Sequence, residues 1–117
     1  MVANGAFLKE KPQVVAGFVK VTQRAYAACV KAPEPCIDAL VKANSGLKAE
    51  DSMANWKLVE ELMDAESART GAIGYFDPKR MAADYELIAN YFELEKPFDI
   101  TSAYNNDFLD MSMKFGM

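Results

Sequence analysis

The stretch that decides the fold is residues 12–32, PQVVAGFVKVTQRAYAACVKA. Its apolar residues recur at three- and four-residue steps, which is the period of one face of an α-helix rather than of a strand. Pro12 suits the first position of a helix, and Pro33 predicts its end. The centre of the predicted apolar stripe is formed by Val14, Phe18, Val21, Thr22, Ala25 and Cys29, and Val15, Val19, Tyr26 and Val30 widen it.

Three further segments show helical periodicity. A short second helix is predicted around residues 36–41, a third from Ala49 to about Ala65, and a fourth from Pro78 to about Phe92, after the capping residue Asp77. Thr101 or Ser102 is expected to cap a last helical turn. The sequence therefore predicts an all-α fold of about four main helices with a short helical tail, in a single domain over residues 1–117. Residues 1–11 are expected to be a lead-in to the first helix.

The largest apolar residues of these helices are expected to share one core. Phe18 and Tyr26 lie on the first stripe, Trp56 on the third and Ile88 on the fourth. Since each occupies the apolar side of its own helix, we predict that the four pack together.

Residues 67–76, SARTGAIGYF, form the least helical stretch in the middle of the chain. Two glycines flank Ala72 and Ile73, and two aromatic residues follow, so a loop is predicted. Tyr75 and Phe76 are the candidate ligand-binding residues, because aromatic rings beside glycines can stack on a flat ligand. The alternative is that the two rings cover a core.

The composition excludes several kinds of chemistry. The chain has no histidine, which removes the usual base of nucleophilic catalysis and the commonest metal ligand. Its net charge is −4, and the 13 basic residues are scattered rather than clustered, so no nucleic-acid partner is expected. We therefore predict a protein that is not an enzyme and has no metal or cofactor.

Cys29 and Cys36 flank the proline-containing corner between the first two helices. A disulfide there requires the two Cα atoms to lie within about 7 Å of each other. Small buried thiols are the commoner use of such residues, and we predict two free cysteines. The alternative is a disulfide across the corner.

The order of these signals resembles the C-terminal part of the substrate-binding proteins of ABC importers. The group it resembles carries the pyrimidine precursor of thiamine, nitrate, sulfonates and taurine. The resemblance is carried by FLKEKPQVVAGFVKVTQRAYAACVKAPEPCIDALVKAN, residues 7–44, and by LMDAESARTGAIGYFDPKRMAADYELIANYFELEKPFDITSAYNNDFL, residues 62–109. In that family two α/β lobes clamp the ligand, and this chain corresponds to about the last third.

The resemblance implies a C-terminal segment of a periplasmic binding protein that takes up a small molecule. The ligand and the ABC permease would be engaged only through the full-length parent, which is periplasmic or lipid-anchored outside the cytoplasm. The first twelve residues, MVANGAFLKEKP, have no basic leader and no sustained apolar run. The chain as given is therefore expected to stay in the cytoplasm.

Two alternatives remain open at this point. One is a stand-alone helical protein that self-associates and binds no ligand. The other is an enzyme of thiamine-precursor biosynthesis, which the lack of histidine disfavours.

A homo-oligomer is expected in either case, because helices separated from the rest of a parent fold expose apolar surface. Within the Met-rich tail, residues 111–115 are predicted to lie on or cross to a neighbouring copy. The alternative is that it folds back onto its own chain.

Overall fold

The computed structural model describes residues 1–116, and every regular element in that range is helical. The elements are α1 (Gly5–Glu10), α2 (Pro12–Lys31), α3 (Pro33–Ala43), α4 (Ala49–Met63), α5 (Glu66–Thr70), α6 (Pro78–Tyr91) and a 3₁₀ turn (Ile100–Ser102). The predicted all-α fold is confirmed, and α2, α3, α4 and α6 are the four main helices. Met117, the last residue of the predicted tail, lies outside the described residues.

Proline marks the start of three of these helices. Pro12, Pro33 and Pro78 are the first residues of α2, α3 and α6, where a missing N–H costs no helical hydrogen bond. Asp77 completes the start of α6, because its carboxylate accepts from the backbone N–H groups of Lys79 at 2.8 Å and Arg80 at 3.1 Å. The helix starts that these prolines predict in the sequence are therefore the helix starts in the structure.

Two short helices lie where none was predicted. The lead-in contains α1, and its cap is Asn4, whose side chain accepts from the backbone N–H of Ala6 at 2.9 Å. The predicted loop contains α5, which Arg69 ties back to Asp64 through an ion pair. The predicted last helical turn is present as the 3₁₀ turn, but the predicted caps Thr101 and Ser102 are wrong. Both residues lie within the turn, and its cap is Asp99, whose carboxylate accepts from the backbone N–H of Thr101 at 2.9 Å.

The prediction of two free cysteines is wrong, since Cys29 and Cys36 form a disulfide. Only Ala32 separates the end of α2 from the start of α3. This sharp corner brings the two Cα atoms to 5.7 Å, well within bonding range. The disulfide fixes α3 against the C-terminal end of α2.

Helices α2, α3 and α4 pack in sequence order. Ile37 of α3 is buried at their centre, and the rings of Tyr26 and Trp56 stack with their centroids 6.1 Å apart. The Nε1–H group of Trp56 is buried without a hydrogen-bond acceptor. Apolar packing therefore stabilises this contact, and the unsatisfied N–H group destabilises it.

The predicted single core is only partly correct. Tyr26 and Trp56 do meet, but Phe18 is 62% exposed and Ile88 is 46% exposed. Phe18 is exposed because the rotation of α2 turns Val15 and Val19 inward and leaves Val14, Phe18 and Val21 of the predicted stripe in solvent, whereas Thr22 and Cys29 are half-buried.

The tail folds back onto its own chain. The backbone N–H of Ile73 donates to the carbonyl of Met113 at 2.8 Å, and that of Phe115 donates to the carbonyl of Ala68 at 2.9 Å. The alternative, that the tail folds back onto its own chain, therefore describes the structure. The predicted exchange of residues 111–115 with a neighbour is not needed to satisfy these backbone groups.

The molecule is open for its size. A folded monomer of 12.9 kDa is expected to expose about 6,300 Å², whereas this chain exposes 8890 Å². Its radius of gyration is 16.6 Å, compared with about 13 Å for a compact domain of this length. Much apolar surface that a closed fold would cover is therefore exposed.

Candidate functional site

The loop of residues 71–76 combines buried and exposed residues. Ala72 and Ile73 are buried at its tip. Gly71 lies so close to its neighbours that an added Cβ would be 2.6 Å from the carbonyl oxygen of Ser67 and 3.0 Å from the ring of Tyr75. Gly74 has a φ of +85°, which side chains other than that of glycine rarely adopt. Glycine at both positions lets the loop fold tightly and present Tyr75 and Phe76.

Gln23 of α2 holds one side of this loop. It is 3% exposed, its Nε2 donates to the carbonyl of Ile73 at 3.0 Å, and its Oε1 accepts from the backbone N–H of Asp110 at 2.8 Å. One amide side chain thus joins three segments that are distant in the sequence. Buried polar groups are tolerated when they are satisfied in this way.

Asn106 holds the other side of the loop through the backbone of Phe76. Its Oδ1 accepts from the Phe76 N–H at 3.0 Å, and its Nδ2 donates to the Phe76 carbonyl at 2.9 Å. The ring of Phe76 lies beside that of Tyr104, with the centroids 5.7 Å apart. The two hydrogen bonds therefore fix an aromatic pair contributed by separate segments.

These groups border one large concave surface, which we call the aromatic trough. It is an open depression with a volume of about 1000 Å³, and it is lined by α1, α2, α4 and the segments 73–76 and 101–109. The residues that line it include Leu8, Val15, Val19, Thr22, Gln23, Tyr26, Val59, Met63, Tyr75, Phe76, Tyr104, Asn105 and Phe108. Such a volume is at the upper end of ordinary small-molecule sites.

The trough is lined by uncharged side chains. Within residues 1–116, none of the side chains that line it is Asp, Glu, Lys or Arg. The carboxyl groups with perturbed pKa values lie elsewhere: a hydrogen bond from the Ser112 hydroxyl lowers the pKa of Asp110, and one from Arg69 lowers the pKa of Asp64. No group of three potential metal-ligating side chains occurs in the part of the chain that the structure describes. The trough is thus suited to binding by stacking and apolar contact.

The structure places both predicted ligand-binding residues in this trough. Tyr75 and Phe76 line the same wall, and Phe76 is the more exposed of the two. Sequence reasoning missed Gln23, Asn106 and Tyr104. Gln23 could have been found from its position, because it is four residues after Val19 and three before Tyr26, on the same helical row.

Comparison of the sequence with protein-family models, with curated proteins and with solved structures gives no significant match. Among the described residues, no helix is long and apolar enough to cross a lipid bilayer.

Proposed function

We propose that this chain is the C-terminal segment of an ABC-importer substrate-binding protein and supplies one wall of its ligand site. The observation that carries the proposal is α2, whose apolar face is broader than the part that lines the trough. One side faces the trough, and the other exposes Val14, Phe18 and Val21 to solvent. The polar side of α2 is formed by Gln13, Lys20, Arg24 and Lys31. A larger body that packs on this helix would therefore cover the outer apolar row and leave the polar side exposed. In the proposed parent, the missing lobes cover the outer row.

The chemistry of the trough favours one ligand among those that the resemblance implies. Nitrate and sulfonates are anions that need cationic or strongly donating groups, and the described lining has no charged side chain. A flat, uncharged pyrimidine fits the Phe76–Tyr104 pair, because aromatic rings stack on neutral rings without paying for a buried charge. We therefore propose the pyrimidine precursor of thiamine, and binding rather than catalysis.

The disulfide supports a location outside the cytoplasm for the parent. Disulfides persist in the periplasm and at the cell surface and are rare in the reducing cytosol. The Cys29–Cys36 bond therefore agrees with an exported parent.

The proposal is tested with a longer protein that carries the polypeptide encoded upstream of Met1 in the same reading frame. We expect this protein to contain α/β lobes and to show a thermal shift with the thiamine pyrimidine, and none with nitrate or taurine. The isolated 117-residue chain should show no shift with any of them, because one wall encloses too little of a ligand.

A pair of variants assigns the binding to the trough. Phe76→Ala in the long protein is expected to weaken pyrimidine binding by about tenfold, since a lost aromatic contact is worth about 1 kcal/mol or more. Phe92→Ala is the matched control, because Phe92 is exposed and does not line the trough. Equal affinity of both variants, or a long protein that binds only nitrate or taurine, contradicts the proposal.

A further inference from the structure

Helix α4 forms part of the trough, and its position depends on α3. Val59 and Met63 of α4 line the trough together with residues of α1 and α2. α4 packs mainly against α3, and it meets α2 through the ring of Trp56, which stacks on that of Tyr26. The position of this wall relative to α2 is therefore set by how firmly α3 is held on α2.

The disulfide is what holds α3 at a fixed angle to α2. Ala32 is the one residue between the two helices, and such a short link does not by itself fix the angle between them. Ile37 of α3 is buried, but Leu40 is 46% exposed, so the apolar packing of α3 is incomplete. The Cys29–Cys36 bond joins the end of α2 to the first turn of α3 and thereby fixes the corner.

The aromatic contact that closes α4 against α2 has an energetic cost. The Nε1–H group of Trp56 is buried and finds no acceptor among residues 1–116. This donor would gain a hydrogen bond if the ring moved into water. Its partner Tyr26 is already 40% exposed, so the ring pair lies at the margin of the packed region. The ring pair alone is therefore a weak closure, and the disulfide supplies the constraint that keeps α4 in place.

We propose that the Cys29–Cys36 disulfide is a redox-sensitive brace of the trough. The α3–α4 pair is joined to the rest of the chain at two points, Ala32 before α3 and residues 64–65 after α4. In the oxidised chain the brace holds this pair against α2, and α4 forms its wall of the trough. In the reduced chain the pair swings away from α2 about the two joints, Trp56 enters water, and the trough loses that wall.

The reducing agent is a dithiol, and it can reach the bond because Cys29 and Cys36 are half-buried rather than enclosed. A thiolate of the dithiol attacks one sulfur and breaks the Cys29–Cys36 bond, and its second thiol resolves the mixed disulfide. The protein gains two electrons and two protons as two thiols, and the reductant becomes a cyclic disulfide. Because cysteines stay reduced in the cytosol and are oxidised in the periplasm, the trough would be completed only after export. This last step rests on the proposed function, whereas the swing does not.

Fluorescence of the 117-residue chain tests the swing, because Trp56 is the only tryptophan in the sequence. Dithiothreitol is expected to shift the Trp56 emission to longer wavelength and to raise its acrylamide quenching constant about twofold. The Cys29→Ser/Cys36→Ser variant should show the reduced values whether or not dithiothreitol is present. Asp77→Ala is the matched control, because it destabilises the chain by removing the cap of α6, away from α3 and α4. In its oxidised form, the Trp56 fluorescence should be that of the wild-type protein.

Far-UV circular dichroism separates a swing of the α3–α4 pair from its unfolding, and we expect the reduced chain to keep its helicity. Unchanged quenching of Trp56 on reduction would overturn the proposal. A loss of helicity would also overturn it, because the bond would then be required for folding rather than for position. An equal rise in quenching in oxidised Asp77→Ala would attribute the change to general destabilisation, with the same consequence.

The longer protein tests the link to binding. We expect reduction to weaken its affinity for the thiamine pyrimidine, and equal affinity in the two redox states would overturn the role of the brace in binding. A longer protein that binds no pyrimidine in either state would contradict the proposed function alone, because the fluorescence of the 117-residue chain reports the swing independently of any ligand.

Discussion

At the scale of single residues, Gln23 is the side chain on which the arrangement of the trough depends. It connects α2 to the loop at Ile73 and to the chain at Asp110, and it does so while 3% exposed. An apolar residue of similar size would fill the same space but leave a carbonyl and an N–H without partners. Each orphaned buried group costs about 1–3 kcal/mol.

Replacing Gln23 should therefore lower the free energy of unfolding by more than the change in helix propensity alone. We expect Gln23→Leu to lower the free energy of unfolding by about 2–3 kcal/mol. Gln13→Leu on the same helix should change it by less than about 0.5 kcal/mol, because Gln13 is exposed. Urea denaturation of both variants measures the difference. Similar values for the two would mean that the Gln23 hydrogen bonds contribute no net stability.

Trp56 and Phe18 offer a second comparison at this scale. Trp56 is half-buried against Tyr26, whereas Phe18 is exposed. Trp56→Ala is expected to cost about 3 kcal/mol, at the low end for a buried aromatic because its Nε1–H is unsatisfied. Phe18→Ala should cost less than about 1 kcal/mol in the isolated chain. The reverse order, measured by the same denaturation, would place the core on the other side of α2.

Among these residues, the sequence predicts the aromatic ones better than the polar ones. Tyr75 and Phe76 were identified because glycines and aromatics stand out locally. Gln23 and Asn106 act across 50 and 30 residues of sequence, respectively. Nothing local distinguishes such a side chain from one that faces solvent.

At the scale of elements, the corner between α2 and α3 depends on the disulfide. The bond joins residues separated by seven positions, and closing so short a loop is expected to contribute about 2 kcal/mol. Reduction, or the Cys29→Ser/Cys36→Ser double variant, should therefore lower Tm by about 5–10 °C. Differential scanning calorimetry with and without reductant checks this. The double variant is the control, because its Tm should not change with reductant. If the Tm of the wild-type protein does not change either, the disulfide does not form or does not stabilise the fold.

The helix boundaries were predictable, and the rotation of α2 was not. Helix starts are set by local signals, which here are proline at residues 12, 33 and 78 and the carboxylate of Asp77. These signals work in the same way whichever face of the helix is buried. In α2, the row of Val14, Phe18 and Val21 and the row of Val15, Val19 and Val30 are both apolar. Periodicity alone does not tell which row faces the rest of the chain when both are suited to burial.

At the scale of the whole molecule, the outer row of α2 and the trough belong to the proposed contact with the lobes of the parent. Large apolar residues are exposed on other helices too, among them Leu62 of α4 and Tyr91 of α6, so these two surfaces account for only part of the open shape.

The central claim is that the rest of a larger protein covers the trough and the outer row of α2. Hydrogen exchange measured by mass spectrometry, on the 117-residue chain and on the longer protein, tests it most directly. We predict that peptides covering α1, α2 and residues 71–76 exchange at least about tenfold more slowly in the longer protein, because their opening then disrupts a larger packed core. Equal exchange of these peptides in the two proteins would contradict the account.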